Sequence, residues 1–239
     1  MKPEIIIGVD PGRHNTDMNA TLKRLEMDGS YKDMSTILII PCIGSVPVKV
    51  VSSWWNTYWP PNQKIIKMYP TGMEVGAAYS ECIEMILNHP DLKNYKYIAT
   101  LETDNIPQPD GFVRLLKRME EYPDLSCIQG LYYTKGEGGV PQIWGDIKDP
   151  VLNFRPVPPV PGEVVECCGT GMGMNIWRLD MFKDERLRKP WFKTTASQQE
   201  GCYTQDLYAW SDFRKYGYRC GVDCGTLVGH YDSVSEITW

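Results

Sequence analysis

The sequence predicts an α/β domain whose central sheet is mainly parallel and flanked by helices. Three observations carry that expectation. Short β-branched and aromatic runs alternate with amphipathic helical patterns through 36–133, the signature of strands joined by helical crossovers. Some of these runs, such as Ile37-Leu38-Ile39-Ile40, are apolar throughout, as strands covered on both faces tend to be. With 239 residues and 42% hydrophobic content, the chain can bury one substantial core, and it suits one large domain better than two small ones.

The first apolar run, 4–13, closes on Asp10-Pro11-Gly12-Arg13. A strand ending in Gly-Val-Asp-Pro-Gly resembles the first strand of ribonuclease-H-like nucleases, where the Asp binds metal. That family requires a hairpin strand next, whereas 16–27 reads as an amphipathic helix with Met18, Leu22 and Leu25 on one side. An accessory strand followed by a turn is the better reading. The run 36–44 is a buried strand closed by Pro41 and Gly44, and 48–59 is helical until Pro60-Pro61 stops it. A strand over 64–69 precedes Gly72 and a helix over 75–87, with Ala78, Cys82, Met85 and Ile86 on its apolar side.

The next strand, 97–101, runs into two carboxylates, Glu102 and Asp104, and is terminated by Asn105, Pro107 and Pro109. Residues i and i+2 of a strand project to the same side, so both carboxylates can face one point. Such a pair resists burial unless a cation or a cation-bound phosphate occupies that point. The alternative is that both are turn and cap residues ahead of the helix at 111–122, and the residues alone do not decide between the two. A strand over 125–133 completes the alternating half. In a parallel sheet the ligand crevice lies beyond the carboxyl ends of the strands, where the acidic pair falls.

From 136 to 162 the texture changes to Gly and Pro, including 156–161, with Trp144, Phe154 and Val160 marking a loop packed over something. Strand-like Val164-Val165-Glu166-Cys167-Cys168 follows, then the small-residue string Gly169-Thr170-Gly171-Met172-Gly173-Met174. These glycines permit close backbone approach to a ligand but lack dinucleotide-fingerprint spacing. Asp206 stands in the first turn of a helix opened by Thr204, where a carboxylate is stabilising without any catalytic duty. The last strand, 218–223, leads to His230; a single His after a strand is more often structural than a ligand.

Composition narrows the function classes. No run of about 18 apolar residues appears, and the amino terminus has no basic segment followed by an apolar stretch, so neither a membrane span nor a signal peptide is expected and the location expected is cytoplasmic. The net charge of −5 argues against a large nucleic-acid footprint. The eight cysteines (42, 82, 127, 167, 168, 202, 220 and 224) make no zinc-type pairs, and reduced buried thiols are expected.

Taken in order, these features resemble nucleotide-sugar glycosyltransferases of the GT-A fold, family-2-like, over roughly 36–232. The strand end Ile39-Ile40-Pro41 looks like their first nucleotide-binding strand. Glu102-Thr103-Asp104 stands where they carry Asp-x-Asp, Gln205-Asp206 where they carry a Glu-Asp pair, and His230 where many have a late metal-binding His. The segment 169–178 is similar to their turn-helix touching donor sugar and acceptor. Two departures stand out: Glu102 replaces the first Asp, and Gly76-Ala77-Ala78-Tyr79-Ser80 replaces the usual Arg-x-Asn.

The resemblance implies a Rossmann-like GT-A domain with an accessory strand and helix at 1–35, a nucleotide-sugar-binding half at 36–135, and an acceptor-binding half with a metal-binding carboxyl-terminal segment at 136–239. It implies transfer of a sugar from a nucleotide-diphosphate sugar, a UDP-sugar being expected, to an acceptor hydroxyl such as a glycan or a modified nucleobase of DNA. Asp104, His230 and Glu102 would hold Mn²⁺ or Mg²⁺, and oxygen ligands with one imidazole tilt the choice to Mn²⁺. Asp206 would be the general base. Pro41, Ile43, Tyr69, Glu102 and Thr103 would contact the nucleotide sugar, and Thr170, Gly171, Trp191 and Trp144 the sugar or acceptor, against the alternative that both tryptophans are core or loop anchors. Two other classes compete: a non-catalytic nucleotide-sugar or glycan binding module, and a sugar nucleotidyltransferase, which normally needs a basic Gly-rich loop where this chain has only Lys49 after Pro41.

Overall fold

A computed structural model of the chain describes residues 4–9, 23, 27, 32–197 and 201–239. Asp10 and all but two positions of the helix expected over 16–27 lie outside the described residues. The strands are β1 (Glu4–Val9), β2 (Thr36–Ile39), β3 (Ile65–Thr71), β4 (Tyr97–Leu101), β5 (Asn105–Pro107), β6 (Cys127–Leu131), β7 (Ile143–Asp146), β8 (Val164–Thr170), β9 (Met174–Arg178), β10 (Thr195–Ser197), β11 (Gly201–Tyr203) and β12 (Cys220–His230). Four α-helices are described: α1 (Val48–Trp55), α2 (Val75–Asn88), α3 (Gly111–Glu121) and α4 (Gln205–Phe213).

The main sheet runs β1-β3-β2-β4-β9-β6-β12-β8-β7, with β5 added to the end of β12, and β10 and β11 form a separate hairpin. The expectation of a mainly parallel sheet is corrected. Only β2/β3, β2/β4 and β6/β12 pair in parallel, and the other pairings of the main sheet are antiparallel. Within the centre of the sheet the departure comes from β9, which wedges antiparallel between β4 and β6, and β1, β5, β7 and β8 add antiparallel pairings around it. Because β9 reverses direction twice over, β3, β2, β4, β6 and β12 still point the same way, and their carboxyl ends share one rim. The two sequence halves divided at residue 135 therefore interleave in one sheet.

Each central strand sends alternate side chains to opposite faces. Ile37, Ile39 and Ile98 join one buried cluster with Tyr79, Cys82, Ile83 and Ile86 of α2 and Ala209, Trp210 and Phe213 of α4. Leu38, Ile40, Tyr97, Ala99 and Leu101 join the other, with Phe112, Leu115, Leu116 and Met119 of α3. Both faces are covered, which is why these strands read as unbroken apolar runs.

Two element expectations change. The helix expected over 48–59 ends at Trp55, because the chain turns so that Trp59 stacks on Phe112 with centroids 4.4 Å apart and an interplanar angle of 13°. The turn-helix expected over 169–178 is a strand, a turn and a strand. Met174 and Ile176 face one core cluster and Trp177 the other, a period of two that no helix can satisfy. Among the described residues, no helix is long and apolar enough to cross a membrane, and seven cysteines are free; the side chain of Cys202 lies outside the description.

Candidate functional site

The shared rim gathers the carboxyl ends of β4, β6 and β12, and each contributes chemistry. Glu102 and Asp104 follow β4 in a tight turn closed by the Asn105 N–H donating to the Glu102 carbonyl at 3.1 Å. The turn feeds β5, whose pairing with β12 sets His230 opposite Asn105. The Tyr231 N–H then donates to the Asp104 carbonyl at 2.7 Å. Backbone register, rather than side-chain chance, brings the late His to the early acid.

His230 Nε2 lies 3.2 Å from Asp104 Oδ2, and its Nδ1 lies 2.7 Å from the Tyr133 carbonyl. A carbonyl only accepts, so Nδ1 carries the proton. His230 Nε2 then faces a carboxylate oxygen. Two acceptors face each other at that distance unless the ring is doubly protonated or a cation lies between them. A backbone carbonyl fixing the ring this way is the usual outer support of a metal-bound His.

The Lys135 ammonium donates to Asp104 Oδ2 at 2.6 Å. Burial pushes the Asp104 carboxyl up, but the His230 and Lys135 contacts outweigh it and hold it below its ordinary value. Glu102 behaves oppositely. It is half-buried at its surface yet enclosed by protein beneath, and burial, the Asp104 charge and the Asp206 charge, in that order, push it up to about 8 while Lys135 opposes them. Asp206, in the first turn of α4, is 7% exposed, and its Oδ1 has no hydrogen-bond partner. Burial is the main cause that raises its pKa.

Two tyrosines that no sequence pattern singled out complete the cluster. Tyr132 accepts the Gly173 N–H at 2.9 Å and meets the His230 ring edge-on at 5.4 Å. Tyr79, from the stretch that replaces Arg-x-Asn, is fully buried, and its hydroxyl has no partner. Burial first, and then the charge of Glu102, holds both phenols well above their ordinary pKa, so both stay protonated donors. The signal that could have marked Tyr132 was its position directly after an apolar strand. Nothing in the sequence placed Lys135 beside Asp104.

The remaining candidates separate. Pro41 and Tyr69 lie at the carboxyl ends of β2 and β3 on the same rim, Pro41 buried and Tyr69 half-buried; Ile43 is exposed beyond β2, and Thr103 is half-buried between the two acids. Trp144 on β7 is half-buried, pairs with Gly169 and donates to Gln142 Oε1 at 2.9 Å. Trp191 is corrected: at 1% exposure, edge-on to Phe182 at 5.7 Å, it is a core aromatic with no face left for a sugar. Thr170 is buried, with its hydroxyl accepting from Trp210 Nε1 at 3.1 Å and Asn175 Nδ2 at 3.2 Å. The glycine string is also reassigned. A Cβ at Gly171 would strike the Tyr132 hydroxyl, and one at Gly173 would lie 2.6 Å from the Tyr132 ring and from Asn105 Oδ1. What approaches these glycines closely is Tyr132.

Among the described residues, no three His, Cys, Asp or Glu side chains form a ready metal cage. A cation shared with a bound phosphate needs only one or two protein ligands. Asp104 Oδ2 and His230 Nε2, 3.2 Å apart, are spaced like neighbouring ligands of an octahedral ion with bonds of about 2.1 Å. The donor set therefore fits a cation completed by substrate oxygens.

No protein-family model and no curated protein matches the chain. In structure the chain is similar to A197 from STIV, with a TM-score of 0.59 and 17% identity over 84% of this chain and 87% of that one. At that identity the likeness shows the fold alone, an α/β sheet flanked by helices.

Proposed function

We propose that the chain is a divalent-cation-dependent glycosyltransferase of the GT-A type, moving a sugar from a nucleotide-diphosphate sugar to an acceptor hydroxyl. The observation that carries this reading is the placement of His230. With Nδ1 held by the Tyr133 carbonyl, Nε2 is the ring nitrogen left to face the point that Asp104 Oδ2 also faces. Asp104 and His230 would hold Mn²⁺ or Mg²⁺, which supplies Lewis-acid neutralisation of the charge building on the departing diphosphate.

The chain's own residues divide the remaining work. Glu102, its carboxyl pushed up to about 8 by burial and by the Asp104 and Asp206 charges, would ionise behind Asp104 once a cation is bound and so strengthen its hold. Asp206 is the proposed base: a buried carboxyl whose pKa is raised accepts a hydroxyl proton more readily near neutrality than a solvated one does. Its buried Oδ1 has no hydrogen-bond partner. The protonated Tyr79 and Tyr132 surround the acids with neutral donors instead of further charge. Exposed Ile43 and half-buried Tyr69 sit where a base or ribose would lie along the rim.

Donor hydrolysis across UDP-, GDP- and TDP-sugars, with and without Mn²⁺, tests the proposal. One donor should be turned over only with the metal. Absence of turnover and of binding for every donor, with Mn²⁺ present, would remove it.

A further inference from the structure

We infer that Lys135 is a resident counter-cation, which exchanges from Asp104 to the donor diphosphate as a divalent cation loads. The inference rests on the cation reading of the rim and adds the residue that regulates access to it.

Asp104 Oδ2 is already engaged on two sides, by Lys135 Nζ at 2.6 Å and by His230 Nε2 at 3.2 Å. The ammonium thus lies against the oxygen that faces the imidazole Nε2. A divalent ion cannot reach both protein ligands while Nζ stays there, since two cations on one carboxylate oxygen repel at contact distance. Lys135 must leave, and the turn that carries it permits this. Tyr133 is anchored on one side through His230 and through a bridge to Pro141. The turn closes by the Thr134 N–H donating to the Val140 carbonyl at 2.9 Å. Between these anchors, Gly136 (φ +100°) and Gly138 (φ +75°) take left-handed backbone with nothing within 4 Å of a Cβ position. The Lys135 side chain itself is 34% exposed.

The displaced ammonium remains among the Glu102, Asp104 and Asp232 carboxyls, on each of which its charge already acts, and the anion that loading adds to this rim is the diphosphate. A lysine is suited to phosphate as a mobile point charge. Lys135 therefore keeps the empty rim ion-paired, and then pairs with the leaving group.

The test is Mn²⁺ titration by calorimetry on the whole chain, first with Mn²⁺ alone and then with UDP, GDP or TDP, whichever binds the wild type. In Lys135→Met, Mn²⁺ alone should bind about fivefold tighter, because a competing ion pair worth up to ~1 kcal/mol is gone. The nucleoside diphosphate should bind the Mn²⁺-loaded variant more weakly by on the order of tenfold, and Lys135→Arg should restore that affinity. Unchanged or weaker Mn²⁺ binding in Lys135→Met, with wild type binding Mn²⁺ normally, overturns the inference alone. Tighter Mn²⁺ with unaltered nucleotide affinity overturns the exchange to diphosphate. A wild type that binds no Mn²⁺ overturns the cation reading beneath it.

Discussion

Neutralising Glu102 should make the metal-free protein more stable, and only at high pH. Its carboxyl is displaced from 4.5 to about 8 by burial and by the Asp104 and Asp206 charges. A group whose folded pKa is raised lends stability that is fully present below its unfolded value and is lost as pH rises through its folded value. For Glu102 that window runs from about pH 4.5 to about pH 8. At ~1.4 kcal/mol per pH unit the displacement sets an upper limit of about 5 kcal/mol; because the carboxyl keeps some solvent contact, about 2 kcal/mol is the working figure. Glu102→Gln, which carries no charge at any pH, should match wild type near pH 4.5 in EDTA and exceed it near pH 9. At ~2–4 °C per kcal/mol for a chain of this size the gap is about 4–8 °C in Tm. Thermal melts in both buffers measure it. Added Mn²⁺ should shrink the gap by raising wild type. Equal melting of the two proteins at pH 9 in EDTA would refute the crowding of charge on which the cation argument rests.

Other perturbations separate the site's parts. Asp104→Asn should abolish metal-dependent turnover while the circular dichroism spectrum and melting stay near wild type, because the side chain is partly exposed at a strand end. Asp206→Asn should lower transfer by about 10²- to 10⁴-fold, the usual worth of a positioned base, with donor affinity from calorimetry little changed; parallel loss of donor affinity would make it a positioning residue. Thr170→Val should cost about 1–3 kcal/mol in urea unfolding by stranding the buried Trp210 Nε1 donor; a loss of donor affinity without loss of stability would return Thr170 to the ligand site.

The strand that ends in Glu102 and Asp104 was legible because its apolar run and its acids are contiguous, and the same holds for Asp206 behind its capping Thr204. The meeting of His230 with Asp104 was not legible locally. It depends on β5 pairing with β12 in one register, a contact between residues more than a hundred positions apart that no periodicity encodes. Lys135 was missed for a related reason, since its turn follows β6 while Asp104 follows β4, and the two strand ends share a rim only once β9 has joined the strands in one sheet. β9 itself was hidden by its glycine-rich lead-in, which reads as a ligand loop until Tyr132 is seen filling the space above Gly171 and Gly173. Trp191 illustrates the opposite failure: an aromatic near Pro and Lys residues looks available in sequence, and the ring is spent in the core.

The most direct test of the central claim is pulsed electron paramagnetic resonance of Mn²⁺ bound to the chain in the presence of a nucleoside diphosphate. The account requires coupling from one imidazole nitrogen that is present in wild type and absent in His230→Ala, together with phosphorus coupling from the diphosphate. Bound Mn²⁺ with phosphorus coupling but no imidazole nitrogen, or a nitrogen signal that survives in His230→Ala, would contradict it.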